Sequence, residues 1–218
     1  DGHTDTPPVD KNTCVRVIYK SQYHVDLPIY VKHGDNPKLS HKSKGWIDSD
    51  PKLLTDWFND QVSEKGEQLK RIVRYFKAWK DFKDGDPKLP SGMILTILAA
   101  NYLVTDDNDD ASFAATAKSI HKNLSSVFSL LRPVFPSEEL LADWSATKQE
   151  NFLAKLNTII KKAEEALETE DKVKASQKWI KIFGDRFPEH QPPGEEETTA
   201  SKSSAPAVLG NHGRSALS

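Results

Sequence analysis

The stretch LKRIVRYFKAWKDF (69–82) decides the fold class. Leu69, Ile72, Val73, Phe76 and Trp79 recur at helical spacing, and at ~100° per residue they fall within about a third of the circle. Lys70, Arg74 and Lys77 gather on another face, with Arg71 flanking them. An apolar stripe opposite a basic one predicts an amphipathic helix over 65–83, ended by Gly85-Asp86-Pro87.

Downstream, LPSGMILTILAANY (89–102) is apolar almost all round, which predicts a central bundle helix over 91–104. Four aspartates follow, Asp106, Asp107, Asp109 and Asp110. They lack the glycine and terminal glutamate of a calcium loop and read as a solvated loop and helix cap. Further helices are expected at 110–130, 137–142, 147–167 and 169–183, the last stopped by Gly184. From 190 to 218 the composition turns to Pro, Glu, Thr, Ser and Ala, as in a disordered tail.

Upstream, Ser49-Asp50-Pro51 in DSDPKLLTDWF (48–58) is a helix-start signal and predicts a helix over 51–63. Residues 33–50 read as a polar loop interrupted by Trp46, and residues 1–12 as another loop. Val15, Val17 and Tyr19 alternate with Arg16, Ile18 and Lys20 before a break at Ser21-Gln22; Val25, Leu27, Ile29 and Val31 then alternate with His24, Asp26, Pro28 and Tyr30. Period-two alternation on both sides of a polar break predicts a β-hairpin, with Pro28 placing its second strand at an edge. The fold class is therefore α+β: strands over 1–45, a helical domain over 46–189 and a tail over 190–218.

Thirty Lys and Arg against 32 Asp and Glu leave a net charge of −2, so bulk attraction to nucleic acid or anionic lipid is excluded. No apolar run reaches the ~20 residues of a membrane helix. The single cysteine, Cys14, excludes an internal disulfide framework or a cysteine-rich zinc site and reads as a small buried residue of a protein kept in a reducing cytosol. The chain begins at Asp1 rather than Met and reads as part of a longer protein.

Two groups of residues can carry chemistry. Asp26, at the centre of a strand, is either a carboxylate facing solvent or a metal ligand or general base held rigidly by a sheet. The basic face of Lys70, Arg71, Arg74 and Lys77 is either a solvated helix surface or a triphosphate clamp. Ser91-Gly92, at a helix start, would add backbone donors for an anion. No phosphate-binding GxxxxGK[ST] loop, GxGxxG, HExxH or GxSxG occurs.

The blocks quoted above, with YHVDLPIYV (23–31), NFLAKL (151–156) and WIKIFGDRFP (179–188), resemble the bacterial cGAS/DncV-like nucleotidyltransferases (CD-NTases) of CBASS anti-phage defence. The resemblance covers the C-terminal two-thirds of a family member. It implies the last strands of a polymerase-β-like nucleotidyltransferase core, followed by a helical domain like that of oligoadenylate synthetases. It implies joining of ATP, GTP or other NTPs into cyclic di- or oligonucleotides, with Mg²⁺ (or Mn²⁺) held by three carboxylates. Asp26 matches the third of these; the Gly-Ser motif and the D-x-D pair that precede it in the family are absent. Arg71 and Arg74 of RIVR match a triphosphate-gripping segment, Lys77 joins them by helix spacing, and Ser91 of LPSG matches the segment over the donor nucleotide.

The isolated chain is accordingly expected to be inactive, with its N-terminal part supplied by the parent protein or by a separate chain. The other reading is a catalytically dead nucleotide- or protein-binding module from a split or decayed synthase. The resemblance also implies a ubiquitin-ligase-like partner acting on the tail that ends Ser215-Ala216-Leu217-Ser218, and it implies no membrane and no obligatory nucleic acid.

Overall fold

The computed structural model describes residues 7–19, 23–34, 36–83 and 89–191. The breaks read at Ser21-Gln22 and Gly85-Asp86-Pro87, residues 1–6 of the first loop and the tail from 192 onward lie outside the described residues. The α+β class holds: two small antiparallel sheets precede the helices. The chain divides into two compact units, 1–161 and 162–218.

The first sheet has the order β1 (Val9–Asp10), β2 (Val15–Tyr19), β3 (Tyr23–Leu27). The expected hairpin forms, with Val15 opposite Leu27, Arg16 opposite Asp26 and Val17 opposite Val25. Its second strand does not run to Val31. It stops at Leu27, because Pro28 has no N–H to continue the ladder, and the chain resumes as β4 (Tyr30–His33) in the second sheet. There β4 pairs with β5 (Asn36–His41), and β5 with β6 (Gly45–Asp48). These last two strands occupy the segment that its polarity presents as a loop. Gly34 and Gly45, at φ +59° and +69°, make the two turns, and Lys38 pairs with its cross-strand neighbour Asp48. Turn geometry and ladder bonds thus form a hairpin with no clear apolar stripe.

Helix α1 (Pro51–Lys65) starts where its signal lies: Asp50 Oδ1 accepts from Lys52 N (2.9 Å) and Leu53 N (3.2 Å). Helix α2 (Gln68–Phe82) buries all five residues of the diagnostic stripe. It packs against α1, α3 (Gly92–Tyr102) and α4 (Asp109–Ser126). Phe113 of α4 closes this core, with its ring 4.8 Å from that of Phe76 and edge-on to Tyr75 at 6.3 Å.

Two helix expectations are corrected. Helix α4 ends at Ser126 rather than 130, with Val127 extended. Residues 137–142 form no helix; Glu139 instead bridges to Leu131. Its carboxylate accepts from Leu130 N (2.7 Å), Leu141 N (3.1 Å) and Ser129 Oγ (2.6 Å). A side chain that satisfies nearby backbone in this way competes with the helix ladder.

Helix α5 (Ala146–Leu167) follows. In the second unit α6 (Lys172–Phe183) is capped by Asp171 and closed by Gly184 at φ +78°. Trp179 and Phe183 stack with Phe187 at 6.3 and 6.0 Å. Among the described residues no helix is long and apolar enough to cross a membrane.

Candidate nucleotide site

Asp26 is an exposed residue of the edge strand β3. Its ladder partner Arg16 grips it in a fork, Nε donating to Oδ1 at 2.7 Å and Nη2 to Oδ2 at 2.8 Å. The Arg16 hydrogen bonds keep the Asp26 carboxyl below the usual carboxylate range. Nothing in the residue pattern singles out Arg16, yet the hairpin register supplies the signal, since it sets Arg16 directly opposite Asp26. Cys14 is half-buried rather than buried and, with Asp10, Ile29 and Lys42, lines an open cleft of about 130 Å³.

A Mg²⁺ or Mn²⁺ ion takes about six oxygen ligands. Among the described residues no three His, Cys, Asp or Glu side chains converge in a way that would hold a metal. Asp26 is a single carboxylate with both oxygens already accepting from Arg16. These residues alone do not fit the metal that the resemblance implies.

The basic face of α2 is not uniform. Lys70 pairs with Glu67 at 2.8 Å. Arg71 is forked onto Asp109, Nε to Oδ2 at 2.6 Å and Nη2 to Oδ1 at 2.9 Å. Asp109 also accepts from Gln68 Nε2 (3.0 Å) and Tyr75 OH (3.1 Å). The aspartate run, expected to be a solvated loop and helix cap, does open α4 and also contains the hub of a polar cluster; sequence spacing could not reveal this hub, because the partners are 34 to 41 residues away.

Arg74 and Lys77 are exposed, and among the described residues no ion pair involves either. Lys77 lies beside the start of α3: a Cβ on Gly92 would sit 3.5 Å from Lys77 Cε. Ser91 is the N-cap of α3, its Oγ accepting from Ile94 N at 3.3 Å. The first turn of α3 carries no acidic side chain, whereas that of α4 carries Asp109 and Asp110. Lys77, Ser91 and the α3 amides thus come together, with Arg74 about 4.5 Å further back along the α2 axis. Among the described residues no hydrogen bond or ion pair joins Asp26 to this face.

Residues 66–192 match the family described as cyclic GMP-AMP synthase, C-terminal domain. That is more than half of the 218 residues. The chain belongs to the DncV-type cyclic GMP-AMP synthase family. Residues 1–30 match the DncV-like nucleotidyltransferase domain of the same enzymes. Among relatives, the cyclic GMP-AMP synthase of Escherichia albertii is 36% identical over 129 residues, covering 57% of this chain and 29% of its own. That of Vibrio cholerae serotype O1 is 29% identical over 160 residues, covering 69% and 36%.

The Vibrio cholerae DncV cyclic AMP-GMP synthase, solved with the linear intermediate 5′ pppA(3′,5′)pG, superposes with a TM-score of 0.73. At 23% identity, over 84% of this chain and 54% of that one, the likeness shows the DncV fold. The 3′-deoxy GTP form of Escherichia coli DncV superposes at 0.69 with 26% identity, over 83% and 52%. The chain thus spans about a third of the length of the curated relatives it matches and about half of the solved chains, less than the two-thirds that the resemblance implied.

The Asp109 hub is expected to make this DncV-type chain sensitive to acid. Hydrogen bonds from Arg71, then Gln68 and Tyr75, lower the Asp109 carboxyl to about 2. Because the folded value lies below the unfolded ~3.9, the stabilisation is complete above pH ~4 and is lost as pH falls from there through 2. Urea midpoints taken from pH 5 to pH 2 should fall more steeply for the natural chain than for Asp109→Ala. Parallel curves would show that the hub adds nothing.

Proposed function

We propose that this chain is part of a nucleotidyltransferase that joins ATP, GTP or other NTPs into cyclic di- or oligonucleotide second messengers in cytoplasmic anti-phage defence. In this reading residues 1–45 are the last strands of the catalytic core and 46–189 the helical domain. Arg74 and Lys77 contact the donor triphosphate, Ser91 and the α3 amides add donors beside it, and Arg71 supports them. The observation that carries the reading is the nearness of Lys77 to Gly92 at a helix start with no acidic side chain in its first turn, one turn from Arg74, which has no ion-pair partner among the described residues. Free N–H groups, a positive helix end and two cations suit an anion. The names of the relatives, and the ATP and GTP in the Vibrio cholerae neighbour, agree with it.

Asp26 is the carboxylate this chain contributes to catalysis, and the Mg²⁺ (or Mn²⁺) of the parent enzyme needs further carboxylates from outside the chain. A ubiquitin-ligase-like partner would act on the tail. A second reading, a catalytically dead nucleotide- or protein-binding module, draws on the occupation of both Asp26 oxygens by Arg16.

ATP binding to the 218-residue chain, followed calorimetrically, tests the phosphate site. Arg74→Ala and Lys77→Ala should each weaken it about tenfold, the ~1.4 kcal/mol of one charge-assisted contact at a partly exposed site. Lys70→Ala, which removes a lysine already paired with Glu67, should change it little. Equal affinity in all three variants would dismiss the assignment.

A further inference from the structure

From the polar cluster between α2 and α4 we infer that Asp109 is a positioning residue, setting the angle at which α2 presents Arg74 and Lys77 to the start of α3. The inference rests on the phosphate reading of that face. Asp109 accepts side-chain hydrogen bonds from Gln68, Arg71 and Tyr75, all on α2. Those three positions span about 10 Å of helix axis on one side of α2. Gln68 adds a reciprocal pair with the backbone of Asp106, Nε2 donating to its carbonyl at 2.8 Å and Oε1 accepting from its N–H at 3.2 Å. Contacts at two heights on one face oppose both rotation and sliding of α2 against the first turn of α4.

Arg74 adjoins Tyr75, the outermost member of the cluster, and Lys77 follows within a turn. A small rotation of α2 therefore moves both cations sideways relative to Ser91 and Gly92. The fork also leaves Arg71 Nη1 outside the bidentate pair. Its planar guanidinium is held in one orientation, and less freedom is lost when it donates to a ligand.

Charge alone argues for the opposite effect. A carboxylate beside a phosphate site repels the ligand, so its removal would strengthen binding. In this cluster the Asp109 charge is matched by Arg71 in direct contact, which leaves orientation as the larger effect.

The test is ATP affinity of the full 218-residue chain, measured by calorimetry, with amide signals of Lys77 and Gly92 recorded without ATP. Asp109→Ala should weaken binding about tenfold although it makes the face more positive, Arg71→Lys should do the same with no change of charge, and Asp109→Asn, which retains an acceptor oxygen, should recover part of the loss. The Lys77 and Gly92 amides should shift in Asp109→Ala. Unchanged or tighter ATP binding by a folded Asp109→Ala, or amides that stay in place, overturns the positioning role. A natural chain that binds no ATP overturns the phosphate reading itself. Should Asp109→Ala fail to fold by circular dichroism, Asp109→Asn and Arg71→Lys decide alone, and equal affinity in both is the overturning result.

Discussion

Asp26→Asn is expected to lower cyclic dinucleotide formation about 10³-fold when this chain is accompanied by the remainder of a nucleotidyltransferase domain. Asparagine preserves size and one acceptor oxygen, so it keeps the β2–β3 register and part of the Arg16 contact. It removes the negative charge. A carboxylate whose charge is used in the reaction contributes several kcal/mol to lowering the barrier, and each ~1.4 kcal/mol is a factor of ten. The loss should fall on kcat with ATP binding nearly unchanged, because no hydrogen bond or ion pair among the described residues joins Asp26 to the basic face. Product analysis with labelled ATP and GTP measures it. Full turnover by Asp26→Asn would make Asp26 only half of a surface ion pair, worth little to stability at such exposure, and would favour the module reading. The 218-residue chain alone, given the same nucleotides and Mg²⁺, is expected to yield no cyclic product, because its described residues assemble no metal site.

Phe113→Ala should be strongly destabilising, at about 3–5 kcal/mol. Phe113 is 1% exposed. Its ring fills the space between α2 and α4 against Phe76 and Tyr75, so truncation leaves a cavity bounded by helices that are pinned elsewhere. Asp109, one turn earlier on α4, ties that helix to α2 and limits collapse into the void. For a chain of this size the midpoint of thermal unfolding should drop roughly 10 °C. Val127→Ala, at a residue 67% exposed, provides the comparison and should cost less than about 0.5 kcal/mol. A loss below about 1 kcal/mol for Phe113→Ala would mean that α2 and α4 are not held through this ring.

The exposed apolar residues of the strand region, Tyr23, Leu27 and Ile29, exceed half exposure on and just after an edge strand. Such a surface is suited to burial against further structure.

Much of the helical half was legible because its signals are local. The 69–79 stripe has one period and one face, and it is the face that α2 buries. Asp50 and Ser91 cap their helices because a short acceptor can reach an amide only two or three residues ahead. The strands at 36–48 escaped because two-sided polar segments lack the alternation that marks a half-buried strand. The helix expected at 137–142 gave way to the reach of Glu139 across to Leu130.

The candidate site divides along the same line. Residue types and helical spacing offered Asp26, the basic face of Lys70, Arg71, Arg74 and Lys77, and Ser91, each beside a solvent-facing alternative, and the family resemblance then pointed to Asp26, Arg71, Arg74 and Ser91. Which of those charges are already matched was decided only in three dimensions. Arg16 closes on Asp26 through strand register, and Asp109 closes on Arg71 through helix packing across 38 residues. A side chain's charge is a property of its own chemistry, whereas its partner is whatever the fold brings within ~3 Å. That is why α2 carries a row of cations in the sequence, yet presents Arg74 and Lys77 without ion-pair partners among the described residues, next to a helix start that lacks acidic groups.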